Sequence, residues 1–239
     1  MASIPPELKR KETALEQRLE AAGRLLVAFS GGVDSSYLAH AAHRVLGDDA
    51  LAATADSPSL PRSHRAMAER FVAEFGIPHR FVSTSEMDKE EYRVNQPDRC
   101  YHCKVELFDV LGRLRAQLGF AAVAYGVNTD DLRDVRPGQR AAGERRVLSP
   151  FLDAGLCKRE IRVLSRAAGL PTAELPASAC LSSRLAYGTR VTPERLRQVD
   201  EGEERLRALG FRQVRLRHHG PLARLEVDPS ELPRSLDPR

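Results

Sequence analysis

The apolar run Leu25-Leu26-Val27-Ala28-Phe29, followed at once by Ser30-Gly31-Gly32-Val33-Asp34-Ser35-Ser36, constrains this chain more than any other feature. A run with no polar face fits a central strand of a parallel sheet, covered on both sides. The glycines then turn the chain, and Ser36 to Leu46 reads as a helix stopped by Gly47. Phosphate oxygens need several donors at close range, and only backbone stripped of side chains comes that near. Gly31 and Gly32 allow the approach, and Ser30, Ser35 and Ser36 add hydroxyls. Asp34 is placed to hold Mg²⁺ or to cap the helix. The Gly-x-x-x-x-Gly-Lys-Ser/Thr spacing is missing, which disfavours a phosphoryl-transferring P-loop enzyme. A plain glycine turn is the bland alternative.

The same alternation continues. An amphipathic helix with Leu8, Leu15 and Leu19 on one stripe precedes the run and closes at Gly23. Strands are expected at Ala50 to Ala55, Arg80 to Val82 and Ala121 to Tyr125. Helices are expected at Pro61 to Phe75, Val105 to Leu118 and Cys157 to Ala168. This predicts an α/β fold, a doubly wound parallel sheet, whose ligand lies beyond the carboxyl ends of the strands. The Ser30 loop, the Asp56-Ser57 turn and the Gly126-Val127-Asn128 turn all fall there, so Gly126 joins the expected ATP site. After Pro171 the pattern changes. Pro176 to Arg190 reads as a loop rich in small residues, Thr192-Pro193 starts a helix, and Val214 to Arg217 and Leu222 to Val227 read as strands. The expectation is an ATP-binding domain over 1–175 and a small α+β domain over 176–239.

The balance of 37 basic and 33 acidic residues, net +4, is mild. It favours an anionic small molecule and gives no nucleic-acid footprint, and without Trp there is little base-stacking surface. No apolar run suits a membrane helix, and the charged N-terminus does not resemble a secretory leader, so a cytoplasmic enzyme is expected. Four cysteines, at 100, 103, 157 and 180, are too few and scattered for a disulfide scaffold.

Cys180 has small neighbours, which leave room for a ligand, and lies beside Ser182, Ser183 and Arg184, which can donate hydrogen bonds. A buried free cysteine is the ordinary alternative. Glu203 falls within the apolar stripe Leu196, Val199, Leu206, Leu209 of the last helix, where a carboxylate must pair with an arginine or bind a ligand. Arg215 and Arg217 alternate along a strand and share one face, which suits a phosphate clamp or a solvated basic surface. Cys100-x-x-Cys103 reads as half a zinc site, a redox pair or packed thiols.

Ser-Gly-Gly-Val-Asp-Ser-Ser resembles the signature of the PP-loop ATP pyrophosphatases, which cut ATP between its α and β phosphates. Ser149-Pro150-Phe151-Leu152 with Lys158-Arg159-Glu160 is similar to their second element, and this gives Lys158 a phosphate contact. Ala179-Cys180-Leu181-Ser182-Ser183-Arg184, Arg99-Cys100-Tyr101-His102-Cys103-Lys104, Gly126 to Asp131, Arg136-Pro137-Gly138 and Val214 to Val227 together resemble the ATP-dependent sacrificial sulfur transferases of the LarE type. The resemblance implies an enzyme that adenylates a carboxylate of a pyridinium dicarboxylate mononucleotide on the route to the nickel-pincer nucleotide, and a homo-oligomer is expected. Cys180 then displaces AMP, and elimination leaves dehydroalanine on the protein.

It also implies that Arg184, Arg215 and Arg217 hold the substrate and that Glu203 and Glu226 lie near a metal. A variant keeps Cys180 intact and uses an iron–sulfur cluster on Cys100, Cys103 and either Cys157 or Cys180. The family pattern usually continues beyond Val227 with another helix and strand, so the last metal ligands are in question. A tRNA-thiolating or amide-forming PP-loop enzyme is the competing function, and a nucleotide sensor the non-enzymatic one.

Overall fold

A computed structural model describes residues 4–133, 137–177 and 179–235. Arg136 and Ser178 of the motifs above, and the tail 236–239, lie outside the described residues. Four strands, β1 (Leu25–Ala28), β2 (Ala50–Asp56), β3 (His79–Ser83) and β4 (Ala122–Tyr125), form one parallel sheet in the order β3-β2-β1-β4. Leu25 and Val27 enter one core and Leu26 and Ala28 another, so β1 is buried on both faces, as its uninterrupted apolarity requires.

The first core is built with α1 (Pro6–Ala22), α2 (Val33–Leu46), α3 (Arg62–Glu74), α7 (Pro150–Asp153) and α8 (Lys158–Ala167). The second uses α5 (Arg99–Leu118) and α6 (Pro137–Glu144). The chain leaves β1 towards β2 and β3, then returns to add β4 on the other side. The loops after β1 and β4 therefore open a crevice at the switch point.

Beyond residue 175, α9 (Pro193–Ala208) packs against an antiparallel hairpin, β5 (Val214–His219) with β6 (Leu222–Val227), and a short α10 (Leu232–Ser235) follows. Thr192 caps α9 as its sequence predicts, accepting from Arg195 N. A third apolar cluster joins Leu181, Leu185, Val191, Leu196 and Val199 to Tyr92 of the one-turn α4 (Glu90–Arg93). No helix among the described residues is long and apolar enough to cross a membrane.

Two expectations need correction. α5 begins at Arg99 rather than Val105, because Tyr101 and Val105 continue the Phe108–Leu111 stripe one turn back onto the same core. This puts Cys100 and Cys103 on a helix. The α9 stripe stops earlier than expected: Leu209 is 68% exposed, since it follows the last turn as the C-cap, and the buried face is Leu196, Val199, Asp200 and Glu203. The short α4, α6 and α7 lack the length for a legible period.

Candidate functional site

The loop between β1 and α2 is shaped by its own serines. Ser35 Oγ donates to Gly32 O at 3.1 Å, so it can only accept from Ser30 N and Ser30 Oγ, each also at 3.1 Å. Gly31 sits at φ +75°, where a side chain would strain the backbone. Ser36 Oγ is fully buried without a hydrogen-bond partner. Gly126 matters for space: a Cβ there would stand 3.0 Å from Asp34 C and 3.1 Å from Ser35 N. The end of β4 thus presses on the first turn of α2 with no room for a side chain.

Lys158, at the first turn of α8, reaches across this crevice to Asp34, Nζ to Oδ2 at 2.5 Å. Asn128 Nδ2 donates to the other oxygen at 3.4 Å. Burial pushes the Asp34 carboxyl above its ordinary range, and the Lys158 ammonium opposes that rise. The turn after β4 also positions α8 itself, since Lys158 N donates to Asp130 Oδ2 at 2.9 Å and Thr129 N to Leu156 O at 3.0 Å. Asn128 and Asp130 fell inside a recognised motif, but their roles are visible only here.

Cys180 is half-buried and precedes a 3-10 turn, Leu181–Arg184. Leu181 N donates to Ser59 O at 2.9 Å, which docks the thiol loop on the turn following β2, at the same carboxyl ends of the strands as the loop after β1. Arg184 is 2% exposed, and its guanidinium is spent on the protein. It donates to Glu203 Oε1 at 2.9 Å and Oε2 at 3.3 Å, to Cys180 O at 3.1 Å, to Ser183 Oγ at 3.1 Å and to Ala179 O. Arg184, expected as a substrate contact, holds the backbone that carries the thiol.

Glu203 is fully buried and accepts as well from Arg207 at 3.0 Å and Leu216 N at 3.1 Å. Glu226 lies on the hairpin, paired with Arg217 at 2.9 Å and Arg224 at 2.7 Å. Each of these carboxylates is thus taken up by arginines, and they share no hydrogen-bond partner. Arg215 and Arg217 do share a strand face and aim at the thiol loop. Arg215 donates to Ala177 O at 2.9 Å and Arg217 to Ser183 O at 2.8 Å.

A second clasp, not legible beforehand, comes from the segment before α5. Asn95 is fully buried at φ +57° and donates to Ala186 O at 2.8 Å and Thr189 O at 2.9 Å. Its Oδ1 accepts from Arg99, which also donates to Ser182 O at 2.8 Å, while the Tyr92 and Ser182 hydroxyls meet at 2.6 Å. The one local sign was an Asn just before Gln96-Pro97, a turn sequence.

Cys103 is half-buried against the Leu181 cluster, and burial, with the Cys180 charge next, pushes its thiol up to about 12. Cys100 is exposed, and Cys157 stands apart as the cap of α8. Among the described residues no three His, Cys, Asp or Glu side chains are arranged to hold a metal.

Comparison with known proteins places this geometry. The asparagine synthase family profile matches residues 10–103, which include the phosphate loop. The chain is 34% identical over 221 residues to the pyridinium-3,5-bisthiocarboxylic acid mononucleotide synthase of Lactiplantibacillus plantarum, covering 92% of this chain and 80% of that protein. It is 44% identical over 225 residues to an uncharacterised protein of Synechocystis, covering 94% and 84% respectively. It is 26% identical over 205 residues to an uncharacterised protein of Methanocaldococcus jannaschii, covering 86% of this chain and 78% of that protein.

Proposed function

The chain belongs to the pyridinium-3,5-bisthiocarboxylic acid mononucleotide synthase family, the LarE-type sulfur transferases among the PP-loop ATP pyrophosphatases, and from that premise we propose that it adenylates a carboxylate of pyridinium-3,5-biscarboxylic acid mononucleotide and turns it into a thiocarboxylate with the sulfur of Cys180. The observation that carries this reading is the docking of the Cys180 loop, through Leu181 N and Ser59 O, at the carboxyl ends of the strands, where the glycine loop after β1 also lies. A carboxylate is a poor electrophile, so activation must come first and next to the thiol.

A substrate carboxylate oxygen attacks the α-phosphorus of ATP and pyrophosphate leaves. Gly31, Gly32 and the first turn of α2 cradle the phosphates, and Lys158 balances their charge. The residues fit a divalent cation: Asp34 is a carboxylate whose charge burial disfavours, so a second positive charge beside it is favourable. Bound there, Mg²⁺ would neutralise phosphate charge.

The Cys180 sulfur then attacks the acyl carbon and AMP leaves with the bonding pair, giving a thioester. Loss of the Cys180 Cα proton and cleavage of its Cβ–S bond release the thiocarboxylate and leave dehydroalanine. Arg184 and Glu203 fix the thiol loop during this sequence, and Arg215 and Arg217, once turned from Ala177 and Ser183, are the cations for the substrate's phosphate.

The test is the intact mass of the protein after one turnover with ATP and the dicarboxylate. The expected product is a chain lighter by one H₂S, localised to Cys180. Product formation with the Cys180 thiol intact overturns the sacrificial step. Absence of substrate-dependent pyrophosphate exchange overturns the whole reading.

A further inference from the structure

Among the described residues six carboxylates are buried: Glu12, Glu86, Glu106, Asp200, Glu203 and Glu231. Five have a cation within reach. Lys9 stands 2.9 Å from Glu12, Lys89 2.6 Å from Glu106, Arg62 2.6 Å from Asp200, Arg184 2.9 Å from Glu203 and Arg212 3.6 Å from Glu231. Glu86 is the exception. It is 2% exposed, and its carboxylate has one long hydrogen bond, from Ser59 Oγ at 3.4 Å. A buried carboxylate without a counter-charge is costly, and such groups persist where the chemistry needs them.

Its position supplies the reason. Glu86 opens the 3-10 turn Glu86–Asp88 after β3, and that turn is held in place because Glu106 accepts from Ser85 N at 3.1 Å and Ser85 Oγ at 2.8 Å. Ser59, which touches the Glu86 carboxylate, is the same residue whose carbonyl receives Leu181 N, one peptide from Cys180. Met87, Cys103 and Tyr92 pack with Leu181 in one cluster. The Cys103 thiol and the Tyr92 hydroxyl are both pushed up, by burial first, with Cys180 and Glu86 among the smaller contributions to each.

We propose that Glu86 takes the proton of the Cys180 thiol as sulfur attacks the activated carboxylate. The assignment rests on the sulfur-transfer reading above. In that step the S–H proton passes to a Glu86 oxygen, the new S–C bond forms, and the C–O bond to AMP breaks with its electron pair leaving on AMP. The protonated Glu86 returns its proton to water when the products depart. Two of the cations that hold the thiol loop are already committed: Arg184 to Glu203 and to backbone carbonyls, Arg99 to Asn95 and Ser182 O.

The experiment compares the full-length wild type with Glu86→Gln, which keeps size and the Ser59 contact, and with Glu86→Asp. Three rates are read: pyrophosphate exchange dependent on pyridinium-3,5-biscarboxylic acid mononucleotide, single-turnover loss of sulfur from the protein, and alkylation of Cys180 by iodoacetamide. Exchange is expected to stay within about twofold, while sulfur loss slows about 100-fold, the scale of a removed general base, and Glu86→Asp recovers part of it. Alkylation needs only the thiolate, so removing a neighbouring negative charge leaves it equal or faster.

Sulfur loss at the wild-type rate in Glu86→Gln overturns the proposal. So does a parallel fall of exchange, sulfur loss and alkylation, which would make Glu86 a support of the fold. A wild type that exchanges and transfers sulfur keeps the functional reading intact in either case.

Discussion

Arg184 and Glu203 form a buried ion pair, 2.9 Å from Nε to Oε1 with side chains 3% and 0% exposed, and the same guanidinium carries the carbonyl of the thiol-bearing residue. The pair therefore joins α9 and β5 to the loop that presents Cys180. A charge this deeply buried is tolerable only with its partner in place.

Glu203→Gln alone should destabilise the protein by about 3–5 kcal/mol, because it leaves the buried Arg184 guanidinium without a counter-charge, and Arg184→Met by less, because Arg207 still pairs with Glu203 at 3.0 Å. The double variant Arg184→Met with Glu203→Leu should be less destabilised than the sum of the singles, yet inactive in sulfur transfer. Urea unfolding of the four proteins in a double-mutant cycle measures the coupling, and additive losses would contradict the pairing.

Gly126→Ala should weaken ATP binding about tenfold or more, equivalent to about 1.4 kcal/mol. The added methyl meets Asp34 C at 3.0 Å and Ser35 N at 3.1 Å, both backbone atoms that cannot rotate aside. Calorimetric titration with a nonhydrolysable ATP analogue checks this, and unaltered affinity would show that the two loops separate freely.

The Glu106 carboxyl predicts a pH dependence. Burial pushes it up, but Lys89 and Ser85 overcome that and hold it at about 2, against an ordinary 4.5. A depressed carboxyl stabilises the fold above its unfolded value and loses that contribution as pH falls through the folded one. Stability should therefore drop by up to about 3 kcal/mol between about pH 4.5 and 2, and Glu106→Gln should flatten this part of the curve. Chemical denaturation across that range reads it directly.

Asn95→Ala removes two donors to the 186–189 carbonyls and the acceptor of Arg99, and places a residue without a compensating side chain at φ +57°. A loss of about 2–4 kcal/mol is expected from the stranded polar groups and the strained backbone. Limited proteolysis should cut within 182–191 sooner than in the wild type, with pyrophosphate exchange much less affected than sulfur transfer. Equal losses of both would place the clasp with the phosphate site instead.

The order of elements and the glycine turn from β1 into α2 were legible in the sequence because both depend on neighbours along the chain. Leu25 to Phe29 has no polar face and so belongs inside a sheet, and Gly31, at φ +75°, turns the chain after it. Thr192-Pro193 announced α9 by the same local logic. Three things were decided only by tertiary structure.

For Glu203 the sequence left an arginine partner and a ligand both open, and burial away from solvent pairs it with Arg184. Asn95 carried only a local turn signal and Arg99 only its place in a motif, and neither gave its partner, since a partner 80 or 90 residues away is set by how elements pack. Glu86 looked like one acid among many in Ser83-Thr84-Ser85-Glu86-Met87-Asp88-Lys89. It became distinctive when the fold buried it beside the thiol loop and gave every other buried carboxylate among the described residues a cation. Local preference determined where the chain turns and where its backbone lies bare, while charge compensation in the interior determined which buried acids have a counter-charge.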